Sequence, residues 1–208
     1  MNTNTKPQIV LASSNAGKIR EIQALLPDYE VLPQSGFVQS EAEETGLTFV
    51  ENALLKARHA AQHCHLPVLA DDSGLSVDAL SGAPGIYSAR YAGLTASDQD
   101  NVNKLLLEME GIPMAERTAR FICALVLIEH ANDPVPIIAQ GIWEGRILFH
   151  PTGSNGFGYD PVFWVNEHNC SSAELMPDVK NALSHRGQAL KQLADLLKNQ
   201  SMMMKAKL

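Results

Sequence analysis

Apolar positions along this chain alternate between a strand period and a helix period from the first residues onward. Residues 8–12 form a short apolar run that predicts a strand, and 17–26 carries a helical pattern that Pro27 ends. A second strand is expected at 29–32. Thr48 then opens a long helix, because Thr48 and Glu51 stand at the Thr-x-x-Glu spacing that caps exposed amides at a helix start. Val50, Ala53, Ala57, Ala60 and Cys64 recur at helical spacing as a small-residue buried face, whereas Asn52, Lys56, His59 and His63 fall on a separate polar stripe. His65-Leu66-Pro67 closes that helix, and 68–70 reads as a short buried strand.

Past a stretch rich in glycine and proline at 81–93, Ser97 is placed to cap a helix running to Met109. Two long strands are expected at 119–129 and 135–149. Ala131-Asn132-Asp133-Pro134 is a turn signal between them, so the pair predicts an antiparallel hairpin. A glycine-rich loop at 153–158, a strand near 162–165 and a helix with Leu190, Leu193, Ala194 and Leu197 on one face complete the pattern. Parallel βα units followed by a long hairpin imply an α/β fold with a mixed sheet. The expectation is one domain over 1–200, its two lobes leaving a central cleft, followed by a frayed tail at 201–208.

Composition narrows the function. The chain has 208 residues, 45% of them hydrophobic, with a formal net charge of -7. Such a balance argues against a surface built for duplex nucleic acid. Cys64, Cys123 and Cys170 are scattered without CxxC spacing, which suggests reduced thiols in a cytoplasmic protein. No targeting segment is visible at the start, and the longest apolar run, 121–128, is far below the roughly 20 residues that span a bilayer.

Five groups of residues carry candidate chemistry. Ser13-Ser14-Asn15-Ala16-Gly17-Lys18 lies where a strand hands over to a helix, so backbone amides and the helix dipole would face a phosphate there. It is not a Walker loop, since Ala12 and Ile19 stand where that motif needs Gly and Ser or Thr. Glu43-Glu44 precede the long helix, and Asp71-Asp72-Ser73-Gly74 follow the strand after it. Carboxylates from two such segments can hold Mg²⁺, which prefers oxygen ligands and keeps phosphate contacts. Lys56 lies on the polar stripe of the helix that joins them.

The fourth group is Gly153-Ser154-Asn155-Gly156-Phe157-Gly158-Tyr159-Asp160, in which Phe157 offers a ring for a planar base. Lys180 with Ser184-His185-Arg186 is the fifth, able to read a base edge or a phosphate. Each group also has a plainer reading as a capped helix, a polar turn or a solvated charge cluster. His59, His63, Cys64 and His65 lack the partners that would complete a zinc set. Cys123 has no nucleophile signature around it, and Ser13, Ser73 and Ser184 lack a GxSxG setting.

The order of these strings is more specific than any one of them. It runs through Glu43-Glu44-Thr45-Gly46-Leu47-Thr48-Phe49, Ala70-Asp71-Asp72-Ser73-Gly74-Leu75 and Gly82-Ala83-Pro84-Gly85-Ile86-Tyr87-Ser88-Ala89-Arg90-Tyr91. Phe157-Gly158-Tyr159-Asp160-Pro161 and Ser184-His185-Arg186-Gly187 complete it. From about residue 9 to 197 the chain resembles the inosine/xanthosine triphosphate pyrophosphatase family in its bacterial form.

That resemblance implies a homodimer of α/β subunits and Mg²⁺-dependent hydrolysis of ITP, dITP and XTP to monophosphate and pyrophosphate. It puts the phosphate loop on residues 13–18, the metal-binding acids on Glu43, Glu44 and Asp72, and the general base on Asp72. Lys56 and Asp71 complete the catalytic set, while Ser73, Phe157, Gly158, Tyr159, Asp160, Lys180, His185 and Arg186 line the nucleotide pocket. Arg186, His185 or Lys180 would donate toward the purine O6, with Asp160 free to accept. A related pyrophosphatase for modified pyrimidine triphosphates and a non-catalytic nucleotide-binding regulator are the rival readings; neither they nor the main one needs a nucleic-acid or membrane partner.

Overall fold

The computed structural model describes residues 6–205. Seven strands form one sheet in the order β2-β1-β3-β4-β5-β6-β7. These are β1 (Gln8–Ala12), β2 (Glu30–Pro33), β3 (Val68–Val77), β4 (Thr118–Ile128), β5 (Ile137–Ile147), β6 (Phe163–Val165) and β7 (Cys170–Ser171). Both β2 and β3 pair with β1 in parallel, whereas β6 pairs antiparallel with β5 and with β7. The sheet is therefore mixed, as the alternating periods imply. Five helices accompany it: α1 (Ala16–Leu25), α2 (Phe49–Ala61), α3 (Asp98–Glu108), α4 (Pro177–Leu183) and α5 (His185–Lys205).

The hairpin expected after α3 is present as β4 and β5. The connecting segment 129–136 is too short to carry the chain back along an 11-residue strand, so the two neighbours run antiparallel. Asp133 shapes the turn: its carboxylate accepts the amides of Glu129 and Val135, which holds its pKa below the ordinary value. Helix starts also follow the sequence. Thr48 caps α2 through the Glu51 amide, and Ser97 and Asp100 close a reciprocal capping box on α3.

Three expectations need correction. β3 does not stop at Ala70 but runs to Val77, so Asp71, Asp72, Ser73 and Gly74 lie within the strand. A buried strand tolerates two adjacent carboxylates because each meets its own lysine there. Asn52 is not on the exposed stripe of α2 but fully buried, and Val50 and Cys64 are only half-buried. Finally, residues 201–205, expected to fray, continue α5, while 206–208 lie outside the described residues.

By its contacts the chain divides into two compact units. The first comprises Met1–Asp72, Ala124–Gln140 and Gln188–Leu208; the second comprises Ser73–Cys123 and Gly141–Gly187. In the first, Ala53, Ala57 and Ala60 of α2 are buried with Val10, Ala12, Val68, Ala70 and Val126. Alanines at those positions let the helix backbone lie close to the sheet, which carries the neighbouring Lys56 toward β3. The second is built around larger side chains, among them Leu75, Leu105, Phe121, Trp143 and Phe163. There Arg117 is almost fully buried, and its guanidinium donates to the carbonyls of Ile147, Met109 and Leu148.

Candidate active site

In the first unit the loop at 13–18 is built by its own side chains. Asn15 is the N-cap of α1, its Oδ1 accepting the Lys18 amide at 3.0 Å, while its own amide donates to Ser13 Oγ at 3.2 Å. Side chains that the sequence offers as ligand contacts thus fix the turn itself. The Ser14 hydroxyl donates to the carboxylate of Glu41, a residue the sequence reading passed over.

Lys18 extends from the first turn of α1 to an ion pair with Asp71, whose side chain has no solvent exposure. One residue further along β3, Asp72 receives Lys56 Nζ at 2.6 Å, and the same ammonium reaches Glu44 Oε1 at 3.2 Å. Successive strand residues face opposite sides of a sheet, so the two aspartates recruit lysines from two different helices. Glu44 is half-buried and Glu43 is exposed, so of the two neighbouring acids only Glu44 meets Lys56.

The electrostatics of this cluster are coupled. Burial raises the Asp72 pKa above its ordinary value of 3.8, with Lys56 and Lys18 pulling against it. Burial alone would lower the Lys56 pKa, yet Asp72, Glu44 and Asp71 together lift it above 10.5. Lys56 therefore stays charged while Asp72 becomes a better proton acceptor than a solvated aspartate. One Asp72 oxygen, Oδ2, is buried and meets no partner among the described residues. An unmet acceptor of this kind is costly unless a ligand, a water or a proton arrives to meet it.

Among the described residues no three His, Cys, Asp or Glu side chains gather closely enough to cage a metal. The donors nonetheless suit magnesium, which is commonly held by one or two carboxylates with substrate phosphates completing its shell. Glu44 and Asp72 are two carboxylates that converge on one lysine and so supply that donor set; the residues fit the ion.

The second unit holds the other group. Asp160 is 3% exposed, and both its oxygens are engaged: Oδ2 accepts Lys180 Nζ at 2.6 Å and the Phe157 amide at 2.8 Å, while Oδ1 accepts Ser172 Oγ at 2.9 Å. The acceptor expected to be free for a purine edge is therefore spent on fixing Lys180 and the loop. Lys180 and Arg186 lie over the Phe157 ring, at 5.0 and 5.8 Å from its centroid. Arg186 Nη2 also donates to Ser73 Oγ at 3.0 Å. His185 stacks on Phe121 with centroids 4.8 Å apart. The Tyr159 hydroxyl donates to the Ser88 carbonyl, and the Gly158 amide to Asp98.

These two clusters frame the comparison with known proteins. The sequence profile of the Ham1 family matches residues 9–196. The chain belongs to the Ham1 family. A dITP/XTP pyrophosphatase of Vibrio parahaemolyticus serotype O3:K6 is 65% identical over 188 residues, spanning 89% of this chain and 94% of that protein. One from Idiomarina loihiensis is 58% identical over 203 residues, spanning 95% of this chain and 99% of that protein. Among solved structures, a HAM1 protein from Coxiella burnetii aligns with a TM-score of 0.85 at 51% identity, over 93% of this chain and 99% of that one. A nucleoside-triphosphatase / dITP/XTP pyrophosphatase from Mycobacterium abscessus aligns at 0.72 and 39% identity, over 91% and 99%.

Within this Ham1 chain the structure gathers Lys18, Glu44, Lys56, Asp71 and Asp72 in one unit, and Ser73, Phe157, Asp160, Lys180, His185 and Arg186 in the other. Three contributing residues escaped the sequence reading: Glu41, Phe121 and Ser172. They are joined to their partners across 12 or more positions by folding alone.

Proposed function

We propose that this Ham1 chain hydrolyses deaminated purine nucleoside triphosphates, dITP, ITP and XTP, to the monophosphate and pyrophosphate. The observation that carries the mechanism is the buried Asp72 carboxylate, held by Lys56, with one oxygen unmet and its pKa raised by burial. The substrate class rests on the family and on relatives named dITP/XTP pyrophosphatase.

The triphosphate is assigned to the amides and helix end of 13–18 with Lys18, and the purine to Phe157, Lys180, His185 and Arg186. Asp72 Oδ2 accepts a proton from the attacking water as its oxygen bonds to the α-phosphorus and the bond to the pyrophosphate oxygen breaks. Lys18 and Lys56 balance the charge gathering on phosphoryl oxygens; such reactions depend mainly on positioning and electrostatics. Magnesium held by Glu44 and Asp72 would screen the triphosphate and polarise the phosphoryl group.

Hypoxanthine and xanthine present an acceptor at O6 where adenine presents a donor. Donors from Arg186, His185 and Lys180 therefore suit the deaminated bases, and a site that hydrogen-bonds its substrate this way discriminates by about 10⁴. The family resemblance supports a homodimer, and scattered cysteines without CxxC spacing suit a cytoplasmic setting; light scattering at micromolar protein tests the dimer. No helix among the described residues is long and apolar enough to cross a membrane.

The deciding experiment is pyrophosphate release with Mg²⁺ from equimolar ITP, XTP, dITP, GTP, ATP and dTTP. Turnover confined to the first three and abolished by a chelator supports the reading. Comparable rates on pyrimidines replace it with the related pyrophosphatase, and binding without turnover on any substrate replaces it with the regulator.

A further inference from the structure

Asn52 is the one fully buried amide of α2, and no step of the mechanism uses it. Its Oδ1 accepts the amide of Gly46 at 2.9 Å, across a turn of chain that leads back to Glu44. The neighbouring Glu51 accepts the Leu47 amide and the Thr48 hydroxyl, both at 2.9 Å. Lys56, one helical turn beyond Asn52, holds Glu44 itself at 3.2 Å. The acidic loop is thus tied to α2 at three heights, by Glu51, Asn52 and Lys56.

The loop also fits closely against the helix. A Cβ on Gly46 would lie 2.6 Å from Glu51 Cβ and 2.7 Å from Asn52 Oδ1, so only glycine allows this approach. The ties differ in burial: Glu51 is exposed and Lys56 partly exposed, whereas Asn52 is enclosed. A hydrogen bond shielded from water holds geometry better than an exposed one, because no solvent competes for its groups. Asn52 Nδ2 is in turn buried without a partner among the described residues. An amide kept at that cost is better explained by what its oxygen holds than by packing, since a small apolar side chain would pack there with no unmet donor.

We infer that Asn52 is a positioning residue for Glu44: its buried side chain fixes Gly46 and so sets where the Glu44 carboxylate stands beside Lys56 and Asp72. This rests on the assignment of Glu44 as a magnesium carboxylate. Groups that orient metal ligands typically contribute 10–100-fold in metal affinity.

The test measures Mn²⁺ binding by its electron paramagnetic resonance signal, with the intact chain and a non-hydrolysable dITP analogue. Nucleotide binding without metal is measured alongside. Asn52→Ala is expected to weaken Mn²⁺ by about tenfold while leaving metal-free nucleotide affinity within about twofold. Gly46→Ala pushes the same loop from the other side and should show the same split; it serves where Asn52→Ala does not fold, as judged by thermal melting. Glu44→Gln is the reference. If it abolishes tight Mn²⁺ binding while folded Asn52→Ala and Gly46→Ala bind as wild type, Asn52 does not position Glu44, although Glu44 keeps its role. If Glu44→Gln binds Mn²⁺ unchanged, both the metal assignment and the inference built on it fall.

Discussion

Lys56 Nζ stands 2.6 Å from Asp72 Oδ1, while Oδ2 of the same buried carboxylate meets no partner among the described residues. A lysine on one oxygen fixes the carboxylate and keeps it anionic; an unmet second oxygen leaves it able to take a proton. The pair therefore combines the orientation and the basicity that water activation needs.

Asp72→Asn is expected to lower kcat on dITP by about 10²–10⁴-fold with unchanged circular dichroism; retention of more than about a tenth of wild-type kcat removes the base role. The wild-type pH profile carries a second signature. Asp72 acts deprotonated, and burial raises its pKa, so kcat/KM should climb with pH through a limb lying above 3.8. Lys56 lowers that pKa by its charge and hydrogen bond, so Lys56→Gln should move the limb of the residual activity to higher pH. A limb that stays in place would show that the two groups do not titrate together.

Lys18→Ala removes the ion pair between Lys18 and Asp71, whose side chain is wholly buried. Breaking such a pair from one side costs about 3 kcal/mol, or roughly 6–12 °C in Tm for a chain of this size. Adding Asp71→Asn removes the buried charge that Lys18 balanced and should restore part of the Tm, but not the nucleotide affinity that Lys18 contributes. Recovery of both by the double variant would leave Lys18 with a purely structural part.

The Ser14–Glu41 contact sets a carboxylate against the loop at 13–18, to which the triphosphate is assigned in the proposed function. Glu41→Gln should lower KM for the triphosphate by about two- to fivefold at low salt, an advantage that fades as salt screens the repulsion. An unchanged KM at low ionic strength means that Glu41 swings away when nucleotide binds.

Gly156 adopts φ +78°, and a Cβ there would fall 2.0 Å from Asp160 Oδ2. Gly156→Ala should therefore displace the carboxylate that holds Lys180 and the Phe157 amide, at a cost of about 1–3 kcal/mol in backbone strain alone. The expected readout is a lower Tm together with reduced preference for dITP over dATP. A lower Tm with intact preference would separate the Asp160 network from base recognition.

Much of the fold could be read in advance because its signals are local. Asn15, Thr48 and Ser97 cap helices within a few residues of themselves, and Asp133 shapes its own turn. The reading faltered where a distant partner changes a residue's character. β3 is expected from the sequence to end at Ala70, with a polar turn as the plainer reading of its aspartates, and the lysines that neutralise these two come from 53 and 16 residues away. Asn52 was placed on the polar stripe by periodicity, which does not register a loop folding back over the helix.

By itself, then, the sequence determined the alternation of strands and helices, the caps, the α/β class and the residue types of the site, since these depend on neighbours a few positions apart. Tertiary structure alone decided which lysine meets which aspartate, that Glu44 rather than Glu43 reaches Lys56, and that Asp160 is consumed by Lys180 and Ser172. The reason is physical: charge, burial and hydrogen-bond saturation belong to the three-dimensional surroundings of a side chain. Those surroundings are assembled from segments that the linear order keeps apart.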